Sequence, residues 1–243
     1  MITDHGPTTG SNKSYKNFFN GTNRKESKMS IATLILGQSG TGKSTSLCKM
    51  DPAHTLLIQT IRKPLPFRAA GWAYHTKDKA GNILVSDQSQ KIITIMQHTR
   101  RKVIVLDDFQ YMLANEFMRR SDERGFDKFT EIGRHAWDVL CAAGMLPDDV
   151  RVYVLSHTEE DQSGTTKIKT IGKMLDEKIT IEGMFTIVLR TDVTDSEYTF
   201  TTRNNGRDTV KSPMGLFGSE RIPNDLSAVD HAITAFYELN ETA

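Results

Sequence analysis

One octapeptide carries more chemistry than any other stretch of the chain: Gly37, Gln38, Ser39, Gly40, Thr41, Gly42, Lys43 and Ser44. A Gly-x4-Gly-Lys-Ser spacing suits a backbone loop that wraps phosphate oxygens. The glycines allow close approach and let successive N–H groups point inward. Lys43 would reach the β- and γ-phosphates, and Ser44 would ligate Mg2+. Thr45 continues the cradle at the start of the next element, where a helix over residues 44–50 would add its positive end. The ligand this pattern predicts is ATP with Mg2+.

A partner acid lies downstream in the run Val-Ile-Val-Leu-Asp-Asp at 103–108. Asp107, at the carboxyl end of a buried strand, is the candidate Mg2+-organising acid, acting through water. Asp108 is placed to polarise an attacking water; capping the helix that begins at Phe109 is the competing use of the pair. A second strand pattern, residues 150–155, runs into Ser156 and His157, polar groups that could sense a γ-phosphate. His157 could equally be an ordinary hydrogen-bonded surface residue.

The elements that must position these groups follow from hydrophobic patterning. Residues 31–36, 54–59, 103–106 and 150–155 read as strands covered on both faces. Helical periodicity covers 89–100, 109–124 and 126–143, with Gly125 between the last two. Residues 73–75 and 83–85 read as a hairpin around 78–82. Residues 185–189 and 198–202 read as a closing antiparallel pair with a polar turn at 192–197. Leu226, Val229, Ile233, Phe236 and Tyr237 mark one face of a C-terminal helix. Alternating strands and helices predict an α/β, three-layer fold with a mostly parallel sheet and a C-terminal antiparallel strand pair.

Composition narrows the function classes. A formal net charge of +1 argues against wholesale electrostatic coating of nucleic acid but leaves room for a local basic groove. The two cysteines, Cys48 and Cys141, read as buried free thiols. No apolar run approaches a membrane span and no signal-peptide core is visible, so a soluble intracellular protein is expected. Residues 1–28 are polar and Gly/Ser/Asn/Lys-rich and read as a flexible tail, with Tyr15, Phe18 and Phe19 as a possible docking arm. The ATPase domain is expected over 29–243.

The 37–44 loop with its flanking strand and helix, the VIVLDD strand and the VYVLSH strand together resemble RecA-like P-loop ATPases. Residues 170–179, 182–189, 204–207 and 211–217 are similar to a phage ATP-binding family that includes single-strand annealing and recombination ATPases of the Sak type. The resemblance covers about residues 30–240. It implies single-stranded DNA binding, homo-oligomers or filaments, and phage recombination or replication in the cytoplasm of an infected bacterium, beside a single-strand binding protein. One departure stands out. RecA-type enzymes carry a catalytic glutamate near the end of the second core strand, whereas this strand ends Leu57-Ile58-Gln59-Thr60-Ile61. Asp108 would then be the base, or Gln59 would orient the water, since an amide can do so without accepting a proton.

The polar stretch 159–169 follows the sensor strand, and RecA-like proteins use a loop there on single-stranded DNA. Lys167 and Lys169 are its candidate phosphate contacts, with no aromatic residue for base stacking. Arg207 and Lys211 are candidates for a cation donated in trans to a neighbour's γ-phosphate. The rival readings are an AAA+-type helicase loader, a nucleotide-gated DNA-binding switch with negligible turnover, and, more remotely, a nucleotide kinase.

Overall fold

A computed structural model describes residues 29–172 and 174–239. The expected tail over 1–28, with its candidate docking arm, lies outside the described residues. Among the described residues ten strands form, in chain order: β1 Ile31–Leu36, β2 Thr55–Gln59, β3 Ile83–Val85, β4 Val103–Asp107, β5 Arg151–Ser156, β6 Thr158–Glu160, β7 Thr166–Ile168, β8 Ile187–Thr194, β9 Glu197–Thr201 and β10 Arg221–Pro223. The longer helices are α1 Ser89–His98, α2 Phe109–Arg119, α3 Asp127–Gly144 and α4 Leu226–Phe236.

Eight strands make one sheet in the order β10-β9-β8-β1-β5-β4-β2-β3, and β6 and β7 pair separately. Neighbours from β8 to β3 are parallel, while β8–β9 and β9–β10 are antiparallel. The continuous apolar runs now have their reason. Alternate residues of each strand enter opposite layers. Leu34, Leu56, Ile58, Ile104 and Val154 join the core under α1, α2 and α3. Ile35, Leu57, Val105, Tyr153 and Leu155 join Leu47, Leu226, Val229 and Ile233 on the other side. Each fully buried aliphatic side chain contributes about 2 kcal/mol. The result is the predicted α/β fold with a mostly parallel sheet between two layers.

Several local expectations are corrected. Residues 44–50 do not form an α-helix but a single tight 3-10 stretch, Ser44–Lys49. The segment 73–75 makes a parallel bridge to Ile83, and β3 adds parallel to β2, so no hairpin forms there. β8 continues through Thr194, leaving only Asp195 and Ser196, both at positive φ, to turn the chain. The supposed loop at 159–169 contains the antiparallel β6–β7 pair. Cys48 is exposed and Cys141 partly so, because both lie off the apolar faces of their elements. Among the described residues no helix is long and apolar enough to cross a membrane.

α4 is fixed to the sheet by a buried polar knot. Asp230 accepts from Arg151 Nε and Nη2, both at 2.9 Å, and from the Tyr153 hydroxyl at 2.6 Å. Burial, reinforced by Asp230, holds the Tyr153 phenol well above its ordinary pKa and therefore as a donor. Asp225 caps the helix, accepting from the N–H groups of Ser227 and Ala228. Removing Asp230 would leave a guanidinium and a phenol without their acceptor. Asp230→Ala should therefore cost about 3 kcal/mol in urea unfolding, with Asp230→Asn costing less; an unchanged midpoint would remove the knot from the stability account.

Candidate functional site

The 37–44 loop leaves β1 between β5 and β8, at the carboxyl edge of the sheet. Gly37 N–H donates to the Ser156 carbonyl at 3.2 Å. Gly40 and Gly42 have φ of +80° and +97°, which side-chain-bearing residues rarely adopt. Gly37 is needed for closeness: an added Cβ would lie 1.8 Å from Thr191 Oγ1. That β8 threonine shares a 2.6 Å hydrogen bond with Thr41 Oγ1. Lys43 folds its ammonium over the loop, donating to the carbonyls of Gly37 and Gln38, each at 2.8 Å. Burial lowers its pKa to about 8, against the opposing pull of Asp108 and Asp107.

Ser44 Oγ donates to Asp107, lying 3.0 Å from both carboxylate oxygens. Asp107 is fully buried. Loss of solvation, followed by the charge of Asp108, raises its pKa to about 6. The Ser44 hydrogen bond and the charges of Lys63 and Lys43 favour its anionic form but do not offset the burial.

Asp108 has left-handed backbone geometry, φ 61° and ψ 42°, and its side chain makes no capping hydrogen bond to α2. Such a conformation costs a non-glycine residue about 1 kcal/mol. Its backbone is held by Thr60, whose hydroxyl donates to the Asp108 carbonyl at 2.7 Å and whose N–H donates to that of Asp107 at 3.3 Å. The carboxylate is thereby turned toward the cleft. Oδ2 accepts from Lys63 Nζ, and Oδ1 lies 3.5 Å from His157 Nε2. Burial would raise the Asp108 pKa, but hydrogen bonds from His157 and Lys63 outweigh it and lower it. His157 in turn stands edge-on to the Tyr111 ring, 5.8 Å between centroids.

Gln59 is the register partner of Asp107 but does not line the cleft. Its Nε2 donates to the Lys63 carbonyl at 3.1 Å, and the Tyr74 hydroxyl lies 3.0 Å from its Oε1. Its amide thus fixes the strap that carries Lys63 rather than facing the ligand space. That strap is Lys63-Pro64-Leu65-Pro66, an irregular segment with two prolines.

The cleft enclosed between loop and strap measures about 690 Å3. Gln38, Ser39, Gly40, Gly42, Lys43, Ser44 and Thr45 form one wall. Lys63, Asp108, Tyr111, His157 and Lys169 face them, and Ile61, Pro64 and Pro66 add an apolar rim. Three lysines against one lining carboxylate suit a polyanion. Among the described residues no three His, Cys, Asp or Glu side chains group into a metal cage. A hard divalent cation at Ser44 and Asp107 would complete its shell with phosphate oxygens and water, as Mg2+ commonly does. The donor set therefore fits a metal–polyphosphate pair.

Of the two lysines assigned to DNA, Lys169 lines this cleft, and its N–H donates to the His157 carbonyl at 2.8 Å. Lys167 lies on β7, 3.5 Å from Glu159 across the hairpin. Arg207 and Lys211 do not line the cleft. Arg207 offers its carbonyl to Thr166 N–H, and Lys211 exchanges two backbone hydrogen bonds with Val188. Sequence reasoning passed over Lys63, Thr60, Tyr111 and Thr191. Lys63, four residues beyond the strand-end Gln59, offered the one usable signal, a cation where an acid was sought. Comparison with protein-family models and with curated proteins gives no match.

The raised pKa of Asp107 has a signed consequence. A carboxyl whose folded pKa exceeds its unfolded value favours folding when protonated, and that stabilisation is lost as pH rises through about 6. Asp107→Asn should therefore stabilise the ligand-free protein at pH 7 by about 2 kcal/mol and flatten the decline between pH 5 and 7. Denaturant titrations at the two pH values check this; a variant no more stable than wild type at pH 7 would contradict it.

Proposed function

We propose that the chain is a RecA-like P-loop ATPase that binds MgATP and couples its nucleotide state to single-stranded DNA and to self-assembly. The observation that carries the reading is the convergence of Lys43, Ser44 and Asp108 on one cleft at a glycine-turned loop, with the buried Asp107 hydrogen-bonded behind Ser44. On this reading the loop N–H groups bind phosphate oxygens, and Lys43 exchanges its two carbonyl acceptors for the β- and γ-phosphates. When bound, Mg2+ supplies charge neutralisation at the transferring phosphoryl group. Asp108 orients the attacking water and takes its proton. To do so it must shed at least one of its partners, Lys63 or His157, because both oxygens are engaged here. A γ-phosphate would compete for Lys63 and so release the base.

The DNA side of the proposal rests on the resemblance and on one structural link. The β6–β7 hairpin is flanked by His157 and Lys169, both of which line the cleft, so a change at the γ-phosphate reaches the hairpin within one residue. Lys167, outside the cleft, is the DNA candidate that remains on the hairpin. Arg207 and Lys211, away from their own cleft, suit action on a neighbouring subunit. A nucleotide-gated switch with negligible turnover is the second reading, favoured by the engagement of both Asp108 oxygens by Lys63 and His157.

Steady-state hydrolysis with and without single-stranded DNA separates the two. The ATPase reading predicts Mg2+-dependent turnover stimulated by DNA. It also predicts that Asp108→Asn lowers kcat at least about 100-fold while MgATP binding is retained. Tight MgATP binding with no turnover under either condition would establish the switch instead. Lys43→Ala should abolish productive phosphate binding in both cases, and unchanged binding in that variant would remove the site assignment.

A further inference from the structure

The catalytic groups crowd one flank of the loop, because Asp107, Asp108 and His157 all come from the β4 and β5 ends. The opposite flank is built by β8 and β9. Leu36 pairs with Arg190 where β1 stops, but β8 runs on to Thr194, so the hairpin overhangs the loop. Tyr198 pairs with Val193 across that hairpin, which puts both on one face. Tyr198 is 49% exposed and Val193 40%. Neither lines the cleft already described.

The hairpin is in close contact with the loop. A Cβ added to Gly42 would lie 2.8 Å from Asn224 Nδ2 and 3.0 Å from Tyr198 Cδ1. Asn224 is tied to Tyr198 through its N–H, which donates to the Tyr198 carbonyl at 3.1 Å. Its Nδ2 is shielded from solvent and has no hydrogen-bond partner among the described residues. An unpaired shielded donor is unfavourable, and a ligand oxygen or ring nitrogen beside Gly42 would satisfy it.

We propose that Tyr198, Val193 and Asn224 form a nucleoside subsite: the exposed tyrosine–valine face stacks a nucleobase, and the asparagine amide donates to the nucleoside. The inference rests on reading residues 37–44 as a triphosphate loop. Gly42 both lines the cleft and touches this flank, so a nucleoside carried by a phosphate chain on the loop would have the flank within reach. An aromatic ring, an aliphatic neighbour and an uncharged amide suit a neutral heterocycle, just as the lysine-rich opposite flank suits phosphates.

Calorimetric titration with two probes, MgATP and Mg-tripolyphosphate, tests the subsite apart from the loop. Tyr198→Ala should weaken MgATP at least about 10-fold, in keeping with loss of one base–aromatic stack, and leave tripolyphosphate within about two-fold. Tyr198→Phe should restore MgATP affinity, and Val193→Asp, on the same face, should repeat the selective loss. Equal affinity of wild type and both the Tyr198→Ala and Val193→Asp variants for MgATP would overturn the subsite. Equal losses for both probes would overturn it too, since the hairpin would then only buttress the loop. If wild type binds neither probe, the loop reading itself fails and the subsite falls with it; binding of tripolyphosphate alone would leave the loop intact and refute the subsite.

Discussion

A buried carboxylate governs this site. Asp107 stands at the end of a central strand, stripped of solvent, with one hydroxyl and no strong cation in direct contact. Such a group is expensive to keep ionised. The fold accepts the expense because β4 delivers Asp107 to the spot where the chain leaving β1 delivers Ser44. The intervening β5 holds the two strands in register, and its own end adds Ser156 and His157 between them. On the proposed reading, a divalent cation beside Ser44 would offset the charge of Asp107, and the same arrangement would suit a metal-bearing ligand.

Around that centre, the protein keeps its charged groups occupied by one another. Lys43 rests on two carbonyls of its own loop, and Lys63 rests on Asp108. Each contact is one a polyphosphate could take over, which makes the closed arrangement a competitor of the ligand rather than an obstacle to it. The left-handed backbone at Asp108 belongs to the same design. It turns the carboxylate away from helix capping and toward the cleft, and Thr60 holds it there. Because His157 and Lys169 border both cleft and hairpin, the cleft and the β6–β7 pair share covalent neighbours.

The core was legible because parallel strands covered on both faces leave nearly continuous apolar runs, and 31–36, 103–106 and 150–155 are such runs, broken only by Thr33 and Arg151. The turns of the 37–44 loop were legible because glycine is the residue that takes the positive φ found at Gly40 and Gly42. The strap at Lys63 was not, since its importance comes from Gln59 and Tyr74 gripping its carbonyl, a contact between segments with no spacing rule. Thr191 was hidden for the same reason: its partner Thr41 is 150 residues away. The hairpin expected at 73–85 failed because a turn-like composition says nothing about strand direction, and β2 supplied a parallel edge instead.

The central claim is that Asp107 and Ser44 exist to hold a cation on a triphosphate. Equilibrium binding of ATP by the full chain, measured with Mg2+ and with chelator, tests it most directly when repeated on Asp107→Ala. The account predicts tight binding that weakens sharply without Mg2+ in wild type and that loses this metal dependence in the variant. Nucleotide affinity indifferent to Mg2+ in wild type, or an equal metal effect in both proteins, would contradict it.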